Sequence, residues 1–196
     1  GLTSSDILLS PVLAASTTPI GEPVPGYFAL PTPRGVNGNS TPPLAGGVVL
    51  SPPGRTFTTS ITVTLSEGSP LPGAQIRYTL DGSLPDESST LYTSPLTLTA
   101  NSYLRARVFA AGREPGPVTG AAYHRLDADV VNFSSNLPVF IIDNFAGGSF
   151  PQDPLIPTVM SIHEPVAGRA SLTNAPHLMT RAGMKRRGSS TGGQPK

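Results

Sequence analysis

Few residues in this 196-residue chain have the types and spacing that chemistry requires: three histidines, a short acidic run and a basic, glycine-rich end. His124, His163 and His177 stand too far apart in sequence for the i, i+4 pair that holds a metal, and no Gly-x-Ser-x-Gly nucleophile elbow accompanies them. All three are expected at the surface or in loops. Asp81, Asp86 and Glu87 supply carboxylates but lack the dense alternation of oxygen ligands that a calcium loop needs. The reading preferred here is structural. Asp81, Gly82, Ser83 and Pro85 form a turn in which glycine accepts positive φ, the Asp81 carboxylate or Ser83 hydroxyl accepts from nearby backbone donors, and Pro85 stiffens the exit.

At the far end, Gly188 and Gly193 have the spacing of a phosphate loop's glycines and follow a strand-like segment. Gln194 stands where the loop's lysine is required, and Lys196 comes only after Pro195, so no ammonium would reach the phosphates. Arg169, Arg181, Lys185, Arg186, Arg187 and Lys196 make this the most basic part of the chain. Strand alternation sends Lys185 and Arg187 to one face and Arg186 to the other, which is the pattern of solvated charge and not of a nucleic-acid surface. No nucleic acid is expected as a partner. With no cysteine anywhere, thiolate nucleophiles, thiolate zinc sites and disulfides are excluded outright.

Sugar recognition needs exposed aromatic faces. The chain has no tryptophan and five tyrosines. Tyr78 shares the apolar face of its strand, whereas Tyr92, Tyr103 and Tyr123 fall at strand ends and are the candidate glycan contacts. Asn39 and Asn132 head glycosylation sequons, which matter only in a eukaryotic secretory setting.

The elements that must position these residues follow from composition. Twenty-three prolines and 21 glycines disfavour long helices, since proline lacks a donor and clashes inside a helix and glycine is entropically costly there. Ile61, Val63 and Leu65 alternate with Thr62 and Thr64; Ile76, Tyr78 and Leu80 with Arg77 and Thr79; Leu104, Ala106 and Val108 with Arg105 and Arg107. Each is the period of a half-buried strand. Ile76 to Leu80 reads as a strand leading into a tight Asp81-Gly82 turn, with Thr90, Leu91 and Tyr92 returning. Shorter candidates lie at Val48 to Leu50, Leu96 to Leu98 and Val118 to Tyr123. Six or seven strands in about 80 residues, punctuated by turns, read as an all-β immunoglobulin-like sandwich. Beyond it Leu137 to Asp143 has the length of a strand buried on both faces, and Leu155 to Ile162 and Leu178 to Arg187 add two more.

The Tyr78-Thr79-Leu80-Asp81-Gly82-Ser83 run ending in Pro85, the Leu91-Tyr92 pair before Pro95, and the Leu104-Arg105-Ala106-Arg107-Val108-Phe109-Ala110 strand resemble the immunoglobulin-like module at the C-terminus of bacterial chitobiases and β-hexosaminidases. The resemblance spans residues 47–124 and implies a non-catalytic module that packs or binds. Leu137 to Phe145, Ile156 to Ile162 and Arg181 to Thr191 resemble the opening of spore-coat CotH-type proteins, whose full domains look like atypical kinases. Their nucleotide- and metal-binding positions would lie past Lys196, so no catalytic residue carries over. Gly26 to Pro33 resembles the closing strand of lamin-tail-type domains.

The expected organisation is therefore a proline- and glycine-rich linker or end of a preceding domain over 1–46, an immunoglobulin-like sandwich over 47–126, and the start of a CotH-like domain over 127–196. The expected function is a non-catalytic spacer, adhesion or binding module of an exported or cell-surface bacterial protein. The alternative is a fragment of a CotH-like kinase or glycan-processing enzyme whose active site lies elsewhere. Residues 7–16 have the apolar core of a signal peptide, but Asp6 stands where a basic region belongs. No cofactor is expected. The partners would be neighbouring domains and a cell-wall or surface glycan, and no apolar run reaches the roughly 20 residues that span a bilayer.

Overall fold

The computed structural model describes residues 42–186. The 1–46 linker apart from its last residues, the lamin-tail-like run, the signal-like run, the Asn39 sequon and the 188–196 loop lie outside the described residues. Within them the chain is all strand, turn and loop, as the proline and glycine content predicts.

Two sheets face each other over residues 48–125. One orders β1 (Val48–Ser51), β3 (Ile61–Glu67) and β6 (Leu96–Leu98) as β1-β3-β6. The other contains β2 (Arg55–Phe57), β4 (Gln75–Thr79), β5 (Thr90–Leu91), β7 (Ser102–Phe109) and β8 (Thr119–Arg125) in the order β2-β8-β7-β4-β5. Neighbouring pairs run antiparallel except β2 with β8, which is parallel. The core between the sheets is built by Val63 and Leu65, by Ile76, by Leu104, Ala106 and Val108, and by Ala121 and Tyr123. The alternating residues therefore point inward as expected, and the sandwich is immunoglobulin-like. Burial of these side chains is the main driving force, at about 25 cal/mol per Å² of apolar surface.

Two expectations need correction here, and one strand was not foreseen. β4 ends at Thr79, and Leu80 is exposed instead of completing the apolar face. The return strand does pair with β4, Arg77 opposite Leu91 and Tyr78 opposite Thr90, but a long loop and not a tight two-residue turn joins them. β2 carried no alternation strong enough to be read in advance, being only three residues long.

A second unit follows, with β10 (Val139–Asp143), β11 (Ile156–His163) and β13 (Leu178–Met184) forming an antiparallel sheet in the order β10-β11-β13. The short β9 (Ser134–Ser135) and β12 (Ala170–Ser171) pair beside it. β10 was expected to be buried on both faces. Phe140, opposite Ile162, is 54% exposed, so one face of this strand is open.

The other face of the second sheet meets the outer face of the sandwich. In the β7–β8 register Tyr103 lies opposite Ala122, and in the β2–β8 register Thr56 lies opposite His124. By the two-residue period of a strand, Ala122 and His124 point away from the face that Tyr123 buries. Tyr103, Ala122 and Val159 form a second buried apolar cluster, with Phe145 and Met179 packed against it.

Candidate functional site

Ser83 donates its backbone N–H (2.9 Å) and its hydroxyl (2.6 Å) to Asp81 Oδ1, and Gly82 has φ +79°. These bonds, the Ser83 hydroxyl first, hold the Asp81 carboxyl below its ordinary range. Asp86 repeats the device one loop later: Ser88 donates its hydroxyl (2.7 Å) and N–H (2.9 Å), and Ser89 its hydroxyl (3.0 Å). Its pKa is lowered for the same reason, the Ser88 hydroxyl contributing most. Both carboxylates spend lone pairs on their own loop. Among the described residues no group of three or more His, Asp or Glu side chains is placed to hold a metal ion. Pro85 is fully buried, which anchors the loop between the two turns.

The turn does more than reverse the chain. Tyr103 donates its N–H to Leu80 O at 2.9 Å, and its ring lies directly against the α-carbon of Gly82. A Cβ at position 82 would drive into Tyr103 Cδ1. Gly82 is thus required twice, once by its backbone conformation and once by the ring beside it.

The tyrosines expected at exposed strand ends are mostly not exposed. Tyr103 is 9% exposed and Tyr123 fully buried. Tyr103 is covered because its face of the sheet docks on the second unit, where its ring stacks on Phe145 with centroids 5.5 Å apart. Tyr123 is covered because its register with Ser102 turns it into the sandwich core. Its hydroxyl donates to Pro52 O at 2.7 Å, and burial pushes its pKa up to about 12. Tyr92 is half-buried against the same core, and its hydroxyl accepts the Leu65 N–H at 3.1 Å. None of the three offers the open ring face that stacking on a sugar requires.

The histidine expectation also needs correction. His177 is exposed and its Nδ1 accepts the Glu164 N–H at 3.1 Å. His124 and His163, by contrast, are 4% and 1% exposed. Neither ring nitrogen of either has a hydrogen-bond partner, and the Ser161 hydroxyl is buried without a partner as well. Asp143 Oδ2 stands 3.5 Å from His124 Nε2, and the His124 ring stacks on Phe145 at 5.3 Å. Burial lowers the pKa of His124, Asp143 pulling it back and His163 adding to the drop. For His163 burial again lowers it, opposed by the backbone of Asn174 and Ser171 and reinforced by His177.

Asp143 organises this seam. Its Oδ1 accepts the Phe145 N–H at 2.7 Å and its Oδ2 accepts from Asn101 Nδ2 at 3.2 Å. The first bond supports Phe145 in a left-handed conformation, φ 55°, with its ring between Tyr103 and His124. Two further contacts cross the seam: the Thr56 hydroxyl donates to Leu172 O, and the Ala122 N–H points at Met179 Sδ, 3.3 Å away. Sequence reasoning gave Phe145 no role at a site; the Asp143-Asn144 pair before it was the available sign of a side-chain-capped turn.

The basic residues serve local ends. Lys185 pairs with Asp153 at 2.9 Å, and Arg169 donates to Ser134 O and Oγ, both at 2.7 Å. An open depression lined by Leu155, Ile156, Pro157, Arg181, Ala182 and Gly183 carries one charge and no acid or nucleophile.

Residues 52–120 match the family described as chitobiase/beta-hexosaminidase C-terminal domain. The match covers the sandwich from β2 into the start of β8 and does not extend to the second unit. Neither a curated protein nor a solved structure matches the chain at a significant level.

Proposed function

We propose that residues 47–126 are a non-catalytic spacer and binding module of a multidomain bacterial protein, exported or at the cell surface, and that the module's outer sheet face holds the following unit in a fixed position. One observation carries this: Tyr103 and Ala122 of the sandwich share a buried apolar cluster with Val159 of the second unit. The family match to the sandwich supports the non-catalytic part, since that family is named for a domain appended to an enzyme. Commitment of the Asp81 and Asp86 carboxylates to turns supports it further. The test is backbone ¹⁵N relaxation on the whole chain. A docked pair tumbles with one correlation time across β3 and β11, and two distinct correlation times would refute docking.

A second reading is that the chain is part of a CotH-like atypical kinase or a glycan-processing enzyme. It draws on the three runs that carry that resemblance, which contribute to the three strands of one sheet. ATP hydrolysis by the longest product of the parent gene, absent from this chain, would favour it. Surface glycan remains a proposed partner, and a glycan array probed with the whole chain tests it; uniform background across the array removes sugar recognition.

A further inference from the structure

Two imidazoles closed into an interface without a well-formed hydrogen bond, with Asp143 beside His124 and the backbone of Ser171 and Asn174 beside His163, form an unusual construction. Buried polar groups are satisfied in the great majority of cases, and the exceptions call for a reason. His124 comes from β8 of the sandwich and His163 from β11 of the second unit, so the pair sits across the seam and not within either core. A neutral imidazole is tolerated there, whereas an imidazolium has to be desolvated; Asp143 partly meets a charge on His124, and no carboxylate acts on His163.

We propose that the seam is an acid-sensitive joint: protonation of His163 and His124 separates the second unit from the sandwich while each sheet stays folded. The groups facing the pair decide how it responds. His124 faces Asp143 from β10 and His163 from β11, so its charge is partly compensated and partly repelled. His163 faces His177, a second base, and the backbone of Ser171 and Asn174, with no carboxylate among the groups that act on it. Arg181 of β13 also acts on Arg105 of β7 as a like charge.

The sign follows from linkage. An imidazole whose pKa is lower docked than undocked binds fewer protons in the docked state, so docking is at full strength above the ordinary value of 6.5 and weakens as pH falls below it. Each unit of lowering is a tenfold loss in the docking equilibrium once both states are protonated. The core of the sandwich contains no histidine, so the loss is confined to the seam.

The inference rests on the docking proposed above, and the two fail separately. Amide hydrogen exchange on the whole chain, corrected for intrinsic rate, is compared at about pH 7.5 and about pH 5. The expected result is a drop of roughly tenfold or more in protection at Ala122 and Val159 at the lower pH, with Val63 and Leu104 unchanged. His163→Leu removes one of the two titrating groups and keeps the space filled, so the pH response should shrink. Imidazole NMR titration of the unmodified chain provides a second readout that needs no variant: His124 and His163 should titrate below the ordinary value of 6.5. Equal protection at both pH values, or a parallel loss at Val63 and Leu104, overturns the joint. A seam already unprotected at the higher pH overturns docking itself.

Discussion

Replacing Gly82 with alanine separates two costs that other positions confound. The first is conformational: at φ +79° an L-residue pays roughly 1–2 kcal/mol for left-handed backbone. The second is steric, because the new methyl enters the space of the Tyr103 ring, which is itself held between the turn and Phe145 and has no free direction in which to move. Overpacking of this kind costs about 1–3 kcal/mol. The sum for Gly82→Ala is about 2–5 kcal/mol. Gly73 is the control, with φ +73° but nothing within 4 Å of an added Cβ, so Gly73→Ala should lose only the conformational part. Urea denaturation followed by far-ultraviolet circular dichroism measures both through the midpoint at constant slope. A Tyr103→Leu background, by shrinking the obstacle, should bring Gly82→Ala down toward the Gly73→Ala value. Equal losses for the two single variants would show that Tyr103 yields freely and that the close approach has no energetic weight.

Other perturbations test the core, the tyrosine and the seam. Leu104→Ala removes a fully buried side chain between the sheets and should cost about 2–5 kcal/mol by the same denaturation assay. Tyr123 has a pKa raised to about 12 by burial, so stability should hold up to pH 10 and fall as pH rises from there toward that value; ultraviolet titration should show one tyrosine ionising last, and Tyr123→Phe should remove that phase and the bond to Pro52 at a cost of about 1 kcal/mol. Gly54→Ala places a methyl 2.9 Å from Ala122 O and against Met179 Sδ, and should reduce exchange protection at Ala122 and Val159 before it affects Leu104.

Local pattern by itself determined the all-β class and the inward residues of β3 and β7. Those follow from the two-residue period of strands, which is present in any window of the chain. Tertiary structure alone decided which tyrosines and histidines are open to solvent. Tyr103 and His124 occupy outer-face positions that read as exposed, and they are buried because a second sheet covers that face. Burial of this kind depends on which surfaces meet across the intervening chain, and side-chain alternation within a strand carries no record of its distant partner.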